Sequence, residues 1–188
     1  MLYTKPNMQI SEPTWLPSAS TESLPSSLKS WLLDPHSLTA RLRKHCQHFA
    51  VRVLSEGFAP LYQSEAALFD QQVQQFWVRE VELLCDGQVW VFARSVIPQS
   101  TLEQEAQQIP DLKTKPLGEF LFNHPKVQRQ STQVAQLRGN DYGLEPTRYA
   151  QRDSLWSRRS LFHLDSAPLL VTEVFLPHSA AYCDFLKD

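Results

Sequence analysis

The sequence predicts an α+β fold: a single domain with a mostly antiparallel β-sheet and flanking helices. Three observations carry this. Strand signals come in adjacent pairs joined by short turns, at residues 76–98 and 154–177. Helix signals gather early in the chain and between those pairs, so no βαβ alternation calls for a parallel sheet. The 188 residues suffice for one substantial core, and 42% hydrophobic with 20% charged residues fits a folded chain rather than a disordered one.

Residues 1–23, rich in Ser, Thr and Pro, read as a loosely ordered arm from which Trp15 and Leu16 dock on the body; residues 24–188 make up the domain. Leu28, Trp31 and Leu32 at i, i+3, i+4 spacing predict a helix from Ser26, broken at Asp34-Pro35. Ser37 is the expected N-cap of a second helix, LTARLRKH, with Leu38 and Leu42 on one face. Phe49, Val51 and Val53 alternate as in a strand, with a bulge or bend at Glu56-Gly57. Residues 64–72 read as a short helix. Pro98 ends the first strand pair, and TLEQEAQQI follows as a helix capped by Ser100 or Thr101. KPLG leads into EFLF, a short helical turn. Residues 126–138 read as a less buried strand, 139–153 as a polar loop, and the tail SAAYCDFLKD as a short helix.

The first strand pair, FWVREVELLCDGQVWVFARSVIP, turns at Asp86-Gly87, a dipeptide suited to the positive φ angles of a two-residue turn. That turn sets Cys85 opposite Gln88, Leu83 opposite Trp90, Val81 opposite Phe92, and Arg79 opposite Arg94. Both arginines then share an apolar face. Like charges opposed across a ladder are destabilising, so the pair calls for an anion, either a carboxylate of the protein or one of a ligand. Glu80 and Glu82 point to the other face in this register.

The second pair, SLWSRRSLFHLD and PLLVTEVFLP, turns at Ser166-Ala167. It places Leu169, Val171, Glu173 and Phe175 on one face with Arg158, Ser160 and Phe162. A carboxylate on such a face is expensive unless paired or protonated. Glu173 has three readings: a structural partner of Arg158, Arg79 or Arg94, a residue at a solvent edge, or a site residue.

Other classes find little support. A net charge of −2 and a pI near 6.3 speak against a nucleic-acid or membrane-surface protein. Three scattered cysteines, Cys46, Cys85 and Cys183, do not make a disulfide framework and fit a reducing cytosol. No apolar run approaches the roughly 20 residues that span a bilayer, and the first residues lack a signal-peptide pattern, so a cytoplasmic location is expected. His45-Cys46-Gln47-His48 lacks a second pair of ligands, so no metal is expected there. There is no phosphate-binding loop and no nucleophile elbow. A cofactor-free site of arginines and a carboxylate is the remaining chemistry.

Three segments, FWVREVELLCDGQVWVFARSVIP, KPLGEFLF and LWSRRSLFHLDSAPLLVTEVFLP, resemble the bacterial chorismate lyase family in order and spacing. The resemblance covers about Leu28 to Tyr182. It implies conversion of chorismate to 4-hydroxybenzoate and pyruvate, the first committed step of ubiquinone synthesis, with no metal or organic cofactor. It also implies a product held internally beneath two flaps, with product inhibition. By resemblance, Arg79 matches the arginine that binds the ring carboxylate, and Glu173 the acid that contacts the ring hydroxyl; these two are the catalytic candidates. Leu117 matches a flap position whose backbone meets the ligand. Leu38 falls near the other flap contact, where the family can carry methionine. Arg94 matches an arginine lining the same cavity, and Ala93 stands where a glycine can occur. The expected partners are chorismate and 4-hydroxybenzoate, with no nucleic acid, no membrane insertion and a monomeric chain. The alternative is a non-catalytic effector-binding domain of the same fold. About 25 residues before the first helix, too few for a helix-turn-helix domain, weigh toward the enzyme.

Overall fold

The computed structural model describes residues 11–21, 24–70, 72, 75–138, 141, 144 and 154–182. Among these, seven strands form one sheet: β1 (Leu16–Pro17), β2 (Phe49–Phe58), β3 (Phe76–Cys85), β4 (Gln88–Pro98), β5 (Val127–Arg138), β6 (Ser154–Leu164) and β7 (Ala167–Phe175). Their order is β1-β5-β6-β7-β4-β3-β2, and every pairing is antiparallel. Helices α1 (Ser26–Leu32), α2 (Leu38–Arg43), α3 (Gln63–Ala66), α4 (Gln99–Gln104) and α5 (Leu117–Asn123) flank it. This is the α+β architecture that the paired strand signals predict. No helix of the described residues is long and apolar enough to cross a membrane.

The early helices form as their spacing requires. Leu28, Trp31 and Leu32 are buried and pack with Leu38 and Leu42 of α2 against Val51, Val81, Leu83 and Val91 of the sheet. The Ser37 hydroxyl accepts from the Ala40 N–H and caps α2. The Asp86 carboxylate accepts from the Gln47 and His48 amides and ties the start of β2 to the β3–β4 turn. In the N-terminal segment, Leu16 pairs with Val134 of β5, and the Trp15 ring lies under the Arg159 guanidinium at 4.4 Å.

Some boundaries differ from the sequence reading. The helix after Pro98 starts at Gln99, has no side-chain cap, and stops at Gln104; turns fill residues 105–108 and a 3-10 turn follows at Ile109–Asp111. The helix expected over 64–72 is the single turn α3. β2 continues through Glu56-Gly57, and its bulge is at Leu54, where the register slips between Val53 and Ser55. The expected loop at 139–153 and the tail beyond Tyr182 fall almost wholly outside the described residues.

Register decides which side chains meet. Asp86 (φ 49°) and Gly87 (φ 81°) make the expected turn, and Cys85 pairs with Gln88. The ladder then takes an extra residue: Leu84 pairs with Val89 but Leu83 with Val91, leaving Trp90 unpaired. Beyond this bulge Arg79 faces Ser95, and Arg94 faces Glu80. A one-residue slip exchanges the two faces, so the expected pairing of Arg79 with Arg94 is corrected. The second turn is Asp165-Ser166, not Ser166-Ala167, because Asp165 accepts the positive φ (59°) that Ala167 would resist. That slip is two residues, which preserves the face; Glu173 pairs with Arg158.

Candidate functional site

One face of β2–β7 and the first turns of α2 and α5 enclose a cavity of about 570 Å³, counting the part open to solvent. Its sheet wall is Val51, Arg79, Val81, Leu83, Ala93, Ser95, Val171 and Glu173, joined by Phe162 and Arg129. Its lid is Leu38 and Thr39 from α2, Pro116 at the N-cap of α5, and Leu117, Gly118, Leu121 and Phe122 from α5. The two helix starts nearly touch: a Cβ on Gly118 would lie 2.9 Å from Thr39 Oγ1. An ion pair between Arg43 and Glu119 ties the same two helices. N–H groups in a helix's first turn have no intrahelical acceptor, so Leu38 and Leu117 stand at the lid where backbone donors are available.

Arg79 is 2% exposed on β3, the strand next to the sheet edge. Its Nη1 donates to Glu56 Oε2 at 2.7 Å, and its Nη2 donates to the carbonyls of Lys113 and Lys115. Lys113 adopts a left-handed conformation (φ 49°), a cost for a non-glycine residue, in the segment that presents both carbonyls to the guanidinium. These bonds use three of the five N–H donors of a guanidinium and leave the Nε–H and one Nη1–H, on different edges of the group. Burial pulls the Arg79 pKa below the ordinary arginine value, with Glu56 opposing.

Glu173 Oε2 accepts from Arg158 Nε at 2.5 Å. Arg158 is wholly buried, and its Nη1 donates to the carbonyls of Trp31 and Asp34. Of the three readings of Glu173, the structural partnership is with Arg158, and the same residue also lines the cavity. Glu173 pairs with Ala93, Ala93 pairs with Val81, and Arg79 lies two residues further along β3. Two strand spacings and two residues put the Glu173 and Arg79 Cα atoms about 12 Å apart.

Arg94 does not line this cavity. It projects from the opposite face, where Nε and Nη2 donate to Glu65 at 2.8 and 3.1 Å and Nη1 donates to Glu80 at 2.8 Å. Its guanidinium also stacks on Tyr62 at 4.5 Å. Burial works against its charge, but Glu65 and Glu80 outweigh it and hold its pKa above the ordinary arginine range. The expectation of a cavity arginine at 94 is therefore corrected; the bulge at Trp90 is the cause.

The cavity brings together Arg79, Glu173, Leu38 and Leu117. Thr39 and Arg129 also line it, and Glu56 stands behind Arg79; none of the three is a site residue in the sequence reading. Glu56 carries a weak signal, since it lies in the stretch read as a bend. Arg129 lies in a polar strand and gives none. An apolar cavity walled by one buried arginine and one paired carboxylate can hold a small planar anion with a hydroxyl opposite its carboxylate.

Comparison with known proteins gives the family and the fold. The family model described as chorismate lyase matches residues 9–184. A chorismate pyruvate-lyase of Erwinia tasmaniensis is 38% identical, covering 93% of this chain and 91% of the relative. A probable chorismate pyruvate-lyase of Shewanella frigidimarina is also 38% identical, covering 89% and 90%. Among solved structures, the effector domain of PhnF from Mycobacterium smegmatis superposes with a TM-score of 0.53 at 14% identity, covering 76% of this chain and 89% of that one. The C-terminal domain of the histidine utilization repressor from Pseudomonas syringae reaches 0.54 at 8% identity, covering 69% and 92%. These structural likenesses concern the fold alone.

Proposed function

The chain belongs to the chorismate lyase family, and from that premise we propose that its cavity converts chorismate to 4-hydroxybenzoate and pyruvate. In bacteria that make ubiquinone this is the first committed step, and a cytoplasmic, monomeric enzyme is the matching reading. The observation that carries the proposal is the placement of Arg79 and Glu173 on one wall of a lidded apolar cavity.

In this reading the ring carboxylate accepts a charge-assisted hydrogen bond from an Arg79 N–H that Glu56 and the two carbonyls leave free. The 4-hydroxyl donates to the Glu173 carboxylate, which Arg158 holds in place. Backbone N–H groups near Leu38 and Leu117 close on the ligand from the lid. The reaction is an elimination that loses the C4 hydrogen and breaks the C3–O bond. Aromatisation supplies the driving force, so the protein's task is to orient the ring, exclude water and stabilise charge on the leaving group. Glu56 acts one step back, keeping Arg79 charged in a site whose burial disfavours that charge.

Purified protein incubated with chorismate tests this directly. Absorbance should shift to that of 4-hydroxybenzoate as pyruvate appears in equal amount. Glu173→Gln should lower kcat by about 10²-fold or more if the carboxylate takes part in proton movement. A flat trace from folded wild-type protein would remove the proposal.

A further inference from the structure

We infer that Arg129 is the second substrate arginine of the cavity and holds the carboxylate of the enolpyruvyl side chain; this rests on the chorismate reading above. Arg129 lies on β5 opposite Phe162 of β6 and lines the cavity together with Glu173. Its guanidinium carbon stands 5.0 Å from the Phe162 ring centroid and 5.8 Å from that of Phe122. Nη1 donates to the Asp34 carbonyl at 2.8 Å. Nε is buried and has no acceptor among the described residues. With Nη1 engaged, the Nε–Nη2 edge remains, and that edge grips a carboxylate through two parallel N–H bonds.

Charge accounting selects the same residue. Arg79 is paired with Glu56, and Arg158 with Glu173. The bonded partner of Arg129 is a carbonyl, not a carboxylate. Burial and the neighbouring Arg158 cation push the Arg129 pKa below the ordinary arginine value, with Glu173 and Asp34 opposing. A buried polar atom without a partner is costly, and an incoming anion would satisfy both the donor and the charge.

The connectivity of the substrate chooses the end of the cavity. In chorismate the ring carboxylate is on C1, the enolpyruvyl ether on C3 and the hydroxyl on C4. With C1 toward Arg79 and the hydroxyl on Glu173, the ether emerges beside the hydroxyl, on the Glu173 side. Along the sheet, β3 with Arg79 lies two strands from β7 in one direction, and β5 with Arg129 lies two strands away in the other. Arg129 therefore flanks Glu173 on the side away from Arg79. When the C3–O bond breaks, its electron pair goes to the departing enolpyruvate oxygen. The C4–H electrons become a ring double bond, and the proton ends on the enolpyruvate methylene carbon to give pyruvate. A cation on the side-chain carboxylate lies next to the oxygen that gains charge.

The test compares ligands with and without the second carboxylate. Arg129→Gln and Arg129→Lys are assayed for chorismate turnover and, by calorimetry, for binding 4-hydroxybenzoate and 3-carboxymethoxy-4-hydroxybenzoate. Arg129→Gln should lower kcat/KM and dicarboxylate affinity by about 10–100-fold, while 4-hydroxybenzoate affinity stays within about twofold. Arg129→Lys, which keeps the charge but not the fork, should fall between. Equal losses for both ligands, or loss for neither, would overturn the assignment and leave Arg129 a scaffold for the Asp34 carbonyl. If Arg129→Gln does not fold, Arg129→Lys decides the same comparison. Wild-type protein that binds the dicarboxylate through Arg129 without turning over chorismate would defeat the activity and keep the anion site. Turnover indifferent to Arg129 would do the reverse.

Discussion

Arg79 and Arg94 sit on neighbouring strands of one hairpin, and both are almost wholly buried. They face opposite sides of the sheet. Arg94 meets two carboxylates, one wholly buried and one 22% exposed, and stacks on a tyrosine ring. Arg79 meets one carboxylate, 28% exposed, and two carbonyls in a strained segment, and it borders a cavity. Their pKa values move in opposite directions for that reason: the anions win at Arg94, and burial wins at Arg79. A buried arginine is thus no sign of a site in itself. What distinguishes the two is whether the surrounding protein has satisfied the guanidinium or left part of it for something else.

The largest expected effect is on stability, at Arg94. Arg94→Ala would leave Glu65 as a wholly buried carboxylate without its cation, which costs about 3–5 kcal/mol. Urea unfolding should show that loss, while the folded fraction binds 4-hydroxybenzoate as wild type does. Weakened binding in stable protein would break the comparison by giving Arg94 a ligand role. Arg79→Ala should behave the opposite way. Glu56 is partly exposed and can regain water, so stability falls by only about 1–2 kcal/mol. Affinity for 4-hydroxybenzoate should fall about 10–100-fold, since a charged hydrogen-bonding group is lost from the cavity. Calorimetry on both variants reads the two effects separately.

The same two arginines show what the sequence makes legible. The turn chemistry of Asp86-Gly87, the helix spacing of Leu28, Trp31 and Leu32, and the apolar face carrying Glu173 are local signals, and these three survive into the fold. The bulge at Trp90 is not local. It lets the hairpin follow the twist of a sheet whose β4 must also pair with β7, and no glycine or proline marks it. One unmarked residue moved Arg94 to the other face and brought Glu80 to it as a partner. In the second hairpin the error was two residues, so Glu173 stayed on its expected face. Arg129 reaches the cavity from β5, and Glu56 reaches Arg79 from β2, strands far apart in sequence. Only the completed sheet brings both to the same site.

The lid offers a smaller effect confined to the cavity side. Gly118→Ala adds a methyl group that would meet Thr39 Oγ1 at 2.9 Å, so α2 and α5 must separate slightly or Thr39 must move. Alanine is the better helix former, so the exposed cost is not a loss of helix. An overpacked contact of this kind is worth about 1 kcal/mol, which corresponds to roughly fivefold faster release of 4-hydroxybenzoate in stopped-flow. Thr39→Ala in the same chain should restore much of the wild-type rate by removing the clashing oxygen. Unchanged release in Gly118→Ala would mean that the two helix starts do not act as a joint cover.

The smallest effect is set by pH and separates the two faces again. Asp34 joins α1 to α2, and its carbonyl accepts from both Arg129 and Arg158 on the cavity side. Burial alone would raise its carboxyl pKa, but hydrogen bonds from His36 and Arg41, with the Arg41 charge, outweigh that and hold it below 3.8. A depressed folded pKa adds stability that is complete above the unfolded value and disappears as pH falls through the folded one. With Arg41 partly exposed, the contribution is at most about 1 kcal/mol. Wild type should therefore exceed Asp34→Asn in stability by that amount at pH 5–7, and the difference should close below about pH 4. Because the same residue positions the carbonyl under Arg129 and Arg158, Asp34→Asn should also weaken ligand binding slightly at neutral pH. Among the described residues the Arg94 network, on the other face, shares no hydrogen bond with Asp34, so Arg94→Ala should destabilise wild type and Asp34→Asn protein equally. A difference between those two backgrounds would show that the sheet couples its faces more tightly than the separate hydrogen-bond networks imply.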